Sequence, residues 1–457
     1  MTTKERVEMV EKLNDVQELK VEKFGKTFQV YPWLKGRLFH KIITGKESNE
    51  TKTWKLLIRQ IRSVFYGWWN YFRKYDIWAF STSAERRLIE GEYHDKLFDY
   101  LGNNSGKKTL IIENRLFDYY PYRKIASNYA VSRSLWMILE ELYGRIILRS
   151  VKVNSKALLN EILKTANAQI DFSDVIRKYL SQYWLMKTWL KIFPNPKLVL
   201  VSVAYTNFGY IRAFKERGVK VVEFQHGLIT KNHHAYFYTK SFDAIQFPDE
   251  IATVGLKEKN VFDDENNFPV KSIMPIGSYI LDYYVGKTVK NTSFQKRVLF
   301  AMQDGEIGEK LIQFIVEIIK ILPKNIELII QPRRTAISEY YKSYPEIKNV
   351  SVSSQDFYSE LLTCDIHSTV YSTTAIEALS LGKQNILINI DNLSVEQLHA
   401  VIGENEYTFI ANTPSEFLEL ISVNSFVEKD LIIKSNNLNV KSGYKNNINK
   451  LLEEIEW

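Results

Sequence analysis

Cysteine is almost missing from this chain: Cys364 is the one example in 457 residues. An intramolecular disulfide framework and a cysteine-based zinc site are thereby excluded, and a reducing compartment fits. No apolar stretch of about 20 residues occurs, so no transmembrane helix is expected. The first twenty residues, MTTKERVEMVEKLNDVQELK, are charged and lack an apolar core, so a signal peptide is not expected either. Helix-turn-helix, zinc-finger and RNA-binding signatures are absent, as are short internal repeats and low-complexity tracts. The formal net charge is +8, yet no long Lys/Arg block concentrates it. That dispersed balance favours phosphorylated ligands, with an anionic membrane surface as a further partner, over nucleic acid. The expectation is a cytoplasmic protein, at most peripheral at the inner membrane face.

What is present is an ordinary globular balance, 45% hydrophobic and 25% charged, at a length that suits two domains. The stretch from Val219 to Gly227 (VKVVEFQHG) organises the first. Its apolar run suits a buried parallel strand and stops at Gln225-His226-Gly227. DIWAFS, KTLIIE, KLVLVSV and SIMPIG read as further strands, alternating with helices, which argues a mostly parallel sheet covered on both faces. Ser81-Thr82-Ser83 before AERRLIEGEYHDKLFDYL reads as a capped helix. A long helical region runs from Val131 to Phe193 and ends at Pro194 and Pro196. From Trp54 to Tyr75 the pattern is helical and very aromatic, interleaved with Lys55, Arg59, Arg62, Arg73 and Lys74. Such a helix lies on a membrane surface or packs in a core with its Arg stems covering apolar surface; packing is the preferred reading. Gly286–Arg297 is polar and aperiodic and reads as the interdomain linker. After it the alternation restarts with RVLFAM, IELIIQP, DIHSTV, QNILINI and YTFIA. The expected fold is therefore α/β with two Rossmann-like domains, 1–286 enlarged by helical segments and 297–440, followed by a final amphipathic helix in 441–457.

His226 followed by Gly227, just past the carboxyl end of a buried strand, stands where open α/β sheets place their chemistry. The glycine lets the chain turn sharply beside a ligand. The bland alternative is a polar turn in which His226 is merely hydrogen-bonded. His233 and His234 follow by the short loop LITKN; adjacent side chains point opposite ways, so at most one is expected to meet a ligand. In the second domain a strand ends near Val370, Tyr371 and Ser372 turn, and Thr373 and Thr374 open a helix. Hydroxyls and free N–H groups at a helix start form an anion site; Ser372 as a simple cap is the alternative. Gln303, Asp304 and Gly305 follow the first strand of that domain, again a cleft-facing position. His367, inside a strand, reads as a core histidine. Asp-x-Asp metal motifs are absent, and Asp263-Asp264-Glu265 reads as a solvated face.

Together these features resemble glycosyltransferases of the GT-B fold, two Rossmann-like domains facing a cleft. HSTVYSTTAIEALSLGKQNILI resembles the donor-phosphate segment of many of them, with Gln384 where proline is frequent. EFQHG resembles the "WHG"-type motif of the CDP-glycerol glycerophosphotransferase and capsular polysaccharide transferase group, whose histidine is regarded as the catalytic base. That match carries over to His226 and Gly227; Gln225 stands where tryptophan is usual. Gln331-Pro332 lies where related enzymes have a His-Pro pair contacting the donor, so that role is absent or falls to Arg333 or Arg334. The resemblance covers the C-terminal half and the EFQHG region, and residues 1–195 lie outside it. It implies a nucleotide-activated donor held by Gln303, Asp304, Gly305, Gln331, Arg333, Arg334, Ser372, Thr373, Thr374 and Glu377. Gln225, Gly227, His233 and His234 would lie on the acceptor side, with His226 as base and neither metal nor cofactor required. The implied reaction moves a sugar or polyol-phosphate to a surface-polysaccharide or lipid-linked acceptor. Two alternatives stand beside it: a nucleotide-sugar 2-epimerase, which shares the architecture, and a non-catalytic carbohydrate- or nucleotide-binding protein.

Overall fold

The computed structural model describes residues 3–44, 54–115, 120–146, 152–170, 172–287, 296–303, 305–333, 349–403, 405–423, 427–455 and 457. The chain forms two compact units, one of Met1–Thr253, Lys257–Ile276 and Lys445–Trp457, the other of Val254–Leu256 and Gly277–Tyr444.

Seven strands make the sheet of the first unit: β1 (Ile77–Thr82), β2 (Thr109–Asn114), β3 (Ala130–Ser132), β4 (Leu198–Val201), β5 (Lys220–Phe224), β6 (Glu250–Thr253) and β7 (Ser272–Pro275). All pair in parallel, in the order β7-β6-β5-β4-β1-β2-β3. Every residue of β4 is buried, as a strand covered on both faces requires. The winding reverses between β1 and β4, which opens a crevice at the carboxyl ends of those strands. On one face Phe208–Lys215 packs against the long helix Ser173–Ile192. A small antiparallel sheet of Lys20–Lys23, Lys26–Gln29 and Lys152–Val153 adds to this unit.

The second sheet has six strands: β8 (Lys296–Ala301), β9 (Ile326–Gln331), β10 (Val350–Val352), β11 (Ile366–Thr369), β12 (Gln384–Ile388) and β13 (Thr408–Ala411). Their order, β10-β9-β8-β11-β12-β13, is all parallel. Counted from β8 it is 3-2-1-4-5-6, the doubly wound order with its switch point between β8 and β11. The expected α/β fold of two Rossmann-like units is thus present.

Three local expectations differ from what is found. Residues 84–101 hold a hairpin, Arg86–Ile89 with Glu92–Asp95, before the helix Asp99–Asn104 begins. Glu90 and Gly91 both have positive φ, 52° and 89°, the paired left-handed backbone of a two-residue hairpin turn. The hairpin is anchored because the buried Arg86 guanidinium donates to Glu113 at 2.5 Å and to Asp99 at 3.4 Å. The aromatic stretch is a helix only over Trp54–Val64; Gly67, at φ 62°, breaks it before the 3₁₀ turn Trp68–Phe72. Tyr66, Tyr71 and Tyr75 are buried there, but Phe65 is 68%, Trp68 49%, Trp69 43% and Phe72 65% exposed, so the core reading holds for three of these seven rings. The third difference concerns boundaries. Gly277–Val285 packs with the second unit, where the backbone N–H of Tyr444 donates to Asp282 at 2.7 Å. The last helix, Tyr444–Glu453, lies from Lys445 onward with the first unit, where Asn447 donates to the Ile276 carbonyl at 3.2 Å. The middle of the expected linker, 288–295, lies outside the described residues.

Candidate functional site

In the first unit His226 stands two residues past β5, next to the switch point between β1 and β4. The backbone N–H of Gln225 still pairs with the Ala252 carbonyl at 2.9 Å, so the ladder with β6 runs to this residue. The buried Gln225 carboxamide donates to the Gly227 carbonyl and to Glu258, each at 2.9 Å. Gln225 therefore braces the turn. Gly227 has no positive φ, and a Cβ there would meet open space; what the glycine supplies is an uncovered stretch of backbone.

The His226 ring is hydrogen-bonded with the Ser202 backbone, at the carboxyl end of β4. Its Nδ1 is buried and has no partner among the described residues. Burial pushes its imidazole below the ordinary 6.5, and Glu85 partly opposes that shift. Glu85 sits on the turn after β1 and forms an ion pair with Lys96 at 2.9 Å. The result is a neutral imidazole at physiological pH, with the Ser202 backbone beside the ring and Nδ1 without a partner among the described residues.

Around it lies an aromatic wall. The Tyr205 ring is 6.4 Å from His226 and 6.0 Å from His233, centre to centre. His233 and His234 stack on each other at 5.3 Å, and His234 stacks on Phe39 at 5.9 Å. The expectation that this pair diverges fails because the residues lie in a tight turn, where side chains do not alternate as they do in a strand. Burial lowers His233 to about 4 and His234 to about 3. Beneath this wall is Glu223 of β5, fully buried. One oxygen accepts from the Ala204 N–H at 2.9 Å and from the Tyr236 hydroxyl at 2.8 Å, and the other has no partner among the described residues. Burial raises this carboxyl to about 7 and the Tyr205 hydroxyl to about 12. Glu223, Glu85 and Tyr205 were not among the residues singled out from sequence. A lone carboxylate inside an apolar strand was the available signal for Glu223.

In the second unit Gln303 follows β8 and is buried. Its carboxamide oxygen accepts from the N–H groups of Tyr371 and Ser372, 3.2 Å each; the reverse placement would set its amide nitrogen against donors. Two of the N–H groups assigned to an anion are thus occupied from within. The Ser372 hydroxyl accepts from the Thr374 N–H at 3.3 Å, just ahead of the short helix Thr374–Ser380, whose N-cap is Thr373. The Thr374 hydroxyl turns inward, 3.1 Å from Nε2 of His367. His367 is a core histidine, also bonded to Asn385 at 2.8 Å, and burial lowers it to about 4. Thr373 and Glu377 remain half-buried at the helix start.

Gly305 has φ 69° and open space at its Cβ position. Gly308, one turn on, is in contact with the Gln303 carbonyl, which a Cβ there would strike. Gln331 ends β9 and donates to the Gln355 carbonyl at 3.3 Å, while its buried Oε1 has no partner among the described residues. Arg333 is exposed two residues on. The structure thus brings Gln303, Gly305, Gln331 and Ser372 to the carboxyl edge of adjacent strands β9, β8 and β11. Asp304 and Arg334 lie outside the described residues.

No protein-family model matches this chain, and no curated protein matches it in sequence. Several solved structures are similar. The glycotransferase of kitacinnamycin is 10% identical, with 84% of this chain and 100% of that chain covered and a TM-score of 0.49. A UDP-GlcNAc 2-epimerase from Neisseria meningitidis bound to UDP-GlcNAc is 13% identical, with 82% and 98% covered and a TM-score of 0.47. The wall teichoic acid polymerase TagF is 10% identical, with 89% and 98% covered and a TM-score of 0.46.

Proposed function

We propose that this chain is a glycosyltransferase that moves a sugar or polyol-phosphate from a nucleotide-activated donor to a glycan or lipid-linked acceptor of surface-polysaccharide synthesis. The observation that carries this reading is His226: neutral through burial, beside the Ser202 backbone, with Nδ1 unpartnered among the described residues, and next to a sheet switch point. The EFQHG and HSTVYSTTAIEALSLGK resemblances support it. An acceptor hydroxyl would donate to the part of the half-buried His226 imidazole that is open to the surface. As that oxygen bonds to the donor's reacting centre, its proton passes to His226 and the bond to the leaving phosphate breaks with the electron pair. Gln225, Gly227, His233 and His234 line the acceptor side in this reading, with Tyr205 closing the wall.

The leaving nucleotide gathers negative charge. The start of the helix Thr374–Ser380, with Ser372 and Thr373, and the exposed Arg333 are the groups assigned to that charge, and the sequence resemblance adds Arg334 to them. Gly305 and Asp304 would border the donor, Glu377 its ribose, and Gln331 with its unpartnered oxygen would take a donor hydroxyl. Gln303 and Thr374 act through the turn they hold. The reaction so written needs no metal.

The test is turnover of candidate nucleotide donors with and without an acceptor, after screening nucleotides for thermal stabilisation. Acceptor-dependent release of the nucleotide is expected. Conversion of the donor sugar without any acceptor would establish an epimerase, and binding without turnover a non-catalytic receptor.

A further inference from the structure

The exposed rings left unexplained by the core lie together. Ile58 and Ile61 of the helix Trp54–Val64 and Phe65 just past its end recur at three- and four-residue spacing, and all are exposed. Trp68, Trp69 and Phe72 continue the stripe. The opposite side of the same segment carries the buried Ser63, Tyr66, Asn70 and Tyr71, and the helix packs along Ser134–Ile146. The element is therefore held by one face and presents a second apolar face outward, the reverse of an ordinary surface helix. The stripe extends sideways: the Phe72 ring is 6.2 Å from Phe193, beside the exposed Ile192, and Trp69 meets Tyr122 at 5.3 Å.

The charge of this face has one sign. The segments that meet here, 54–75, 120–127 and 189–197, contain no Asp or Glu. Arg62, Arg73, Lys74, Arg123, Lys124 and Lys191 are all exposed on them. Glu141, on the neighbouring helix, is paired with Arg145 at 2.9 Å. A second copy of this chain would set like charges against each other across a two-fold axis. An anionic bilayer meets both demands, since rings enter the headgroup boundary while Lys and Arg pair with lipid phosphate.

We infer that the Trp54–Phe72 face, rimmed by these six basic residues, docks this protein on the surface of an anionic lipid bilayer without crossing it. The inference rests on the surface alone and not on the transfer reading. It is tested by co-sedimentation of the full chain with phosphatidylcholine vesicles, with and without phosphatidylglycerol, at low and high salt, beside a melting curve. The wild type should partition at least about tenfold better onto the anionic vesicles, and salt should weaken that preference. Phe65→Ala with Phe72→Ala should lower partitioning about tenfold or more at an unchanged melting temperature, since both rings are exposed. Arg73→Glu with Lys74→Glu should do the same and serves if the aromatic variant melts early. Failure of the wild type to bind anionic vesicles would overturn the proposal, as would unchanged binding in both variants. A concentration-dependent dimer that the same substitutions abolish would overturn it in favour of a second copy.

Discussion

Gln303 and Ser372 are joined across the switch point of the second sheet: the Gln303 carboxamide oxygen accepts from the Ser372 N–H at 3.2 Å. The side chain at the end of β8 therefore shapes the turn after β11, and with it the start of the helix to which the donor phosphate is assigned. Gln303→Ala removes the acceptor and leaves the Tyr371 and Ser372 N–H groups unpaired. A loss of about 1–3 kcal/mol in urea unfolding is expected. Gln303→Glu keeps an acceptor and should stay nearer the wild type in stability, while its charge weakens nucleotide binding in a calorimetric titration. If the two variants bind nucleotide equally, the turn is not where the phosphate sits.

Glu223 gives a pH signature to the first unit. Its carboxyl rises from the ordinary 4.5 to about 7 on folding. Between those values the folded chain holds a proton that the unfolded chain has released. Stability from this group therefore falls as pH rises from 4.5 to 7 and is constant above, at roughly 1.4 kcal/mol per unit of pKa difference. Glu223→Gln can still accept from Ala204 and Tyr236 and should remove that decline. Unfolding free energies measured at pH 5 and pH 8 in both proteins are the check; parallel pH dependence would mean that Glu223 is ionised throughout.

The histidine stack has the opposite sign. Burial lowers His234 from 6.5 to about 3, so between those values only the unfolded chain takes up the proton. Stability from this group is complete above pH 6.5 and lost as pH falls toward 3. His234→Phe keeps a ring against Phe39 and His233 and should flatten the acid limb of a stability-versus-pH curve. An unaltered limb would assign acid lability elsewhere.

How far the sequence reached can be traced to particular elements. Buried parallel strands are apolar runs, so KVVEF and KLVLVSV were legible, and with them the placing of His226 at a strand end. The hairpin at Arg86–Asp95 was not, because AERRLIEGEY offers apolar residues at helical spacing as well; the turn at Glu90-Gly91 and the burial of Arg86 against Glu113 decide it. The Trp54–Tyr75 stretch divides because Gly67 breaks the helix, so one stripe of rings turns inward and another outward, a division that periodicity alone did not assign. At the second switch point the hydroxyl-rich turn was legible, but not the capture of its N–H groups by Gln303 or the inward turn of Thr374. Those are choices among side-chain partners distant in sequence. Glu223 was read past as part of an apolar strand, although a carboxylate there demands buried donors such as Tyr236.

His226 bears the sharpest expectation. It is oriented by the Ser202 backbone, its neighbours Glu85 and Lys96 pull its pKa in opposite directions, and burial keeps it below 6.5. A base already neutral at pH 7 gives a kcat/KM that rises with pH through that lowered value and is flat by neutrality. Glu85→Gln removes the group that favours the imidazolium and should move the rising limb further to the acid side. His226→Ala should lower turnover about 10²–10⁴-fold, with donor affinity and melting temperature close to the wild type, since the residue is only half-buried and its Nδ1 has no partner among the described residues to lose. Substitutions at His233 and His234 should cost less turnover, because they reach the reaction only through the acceptor wall. Steady-state kinetics over pH 5–8, beside a melting curve for each variant, separate the outcomes. Full activity in His226→Ala would overturn the base assignment, and equal loss of fold and turnover would make this histidine a structural support of the turn.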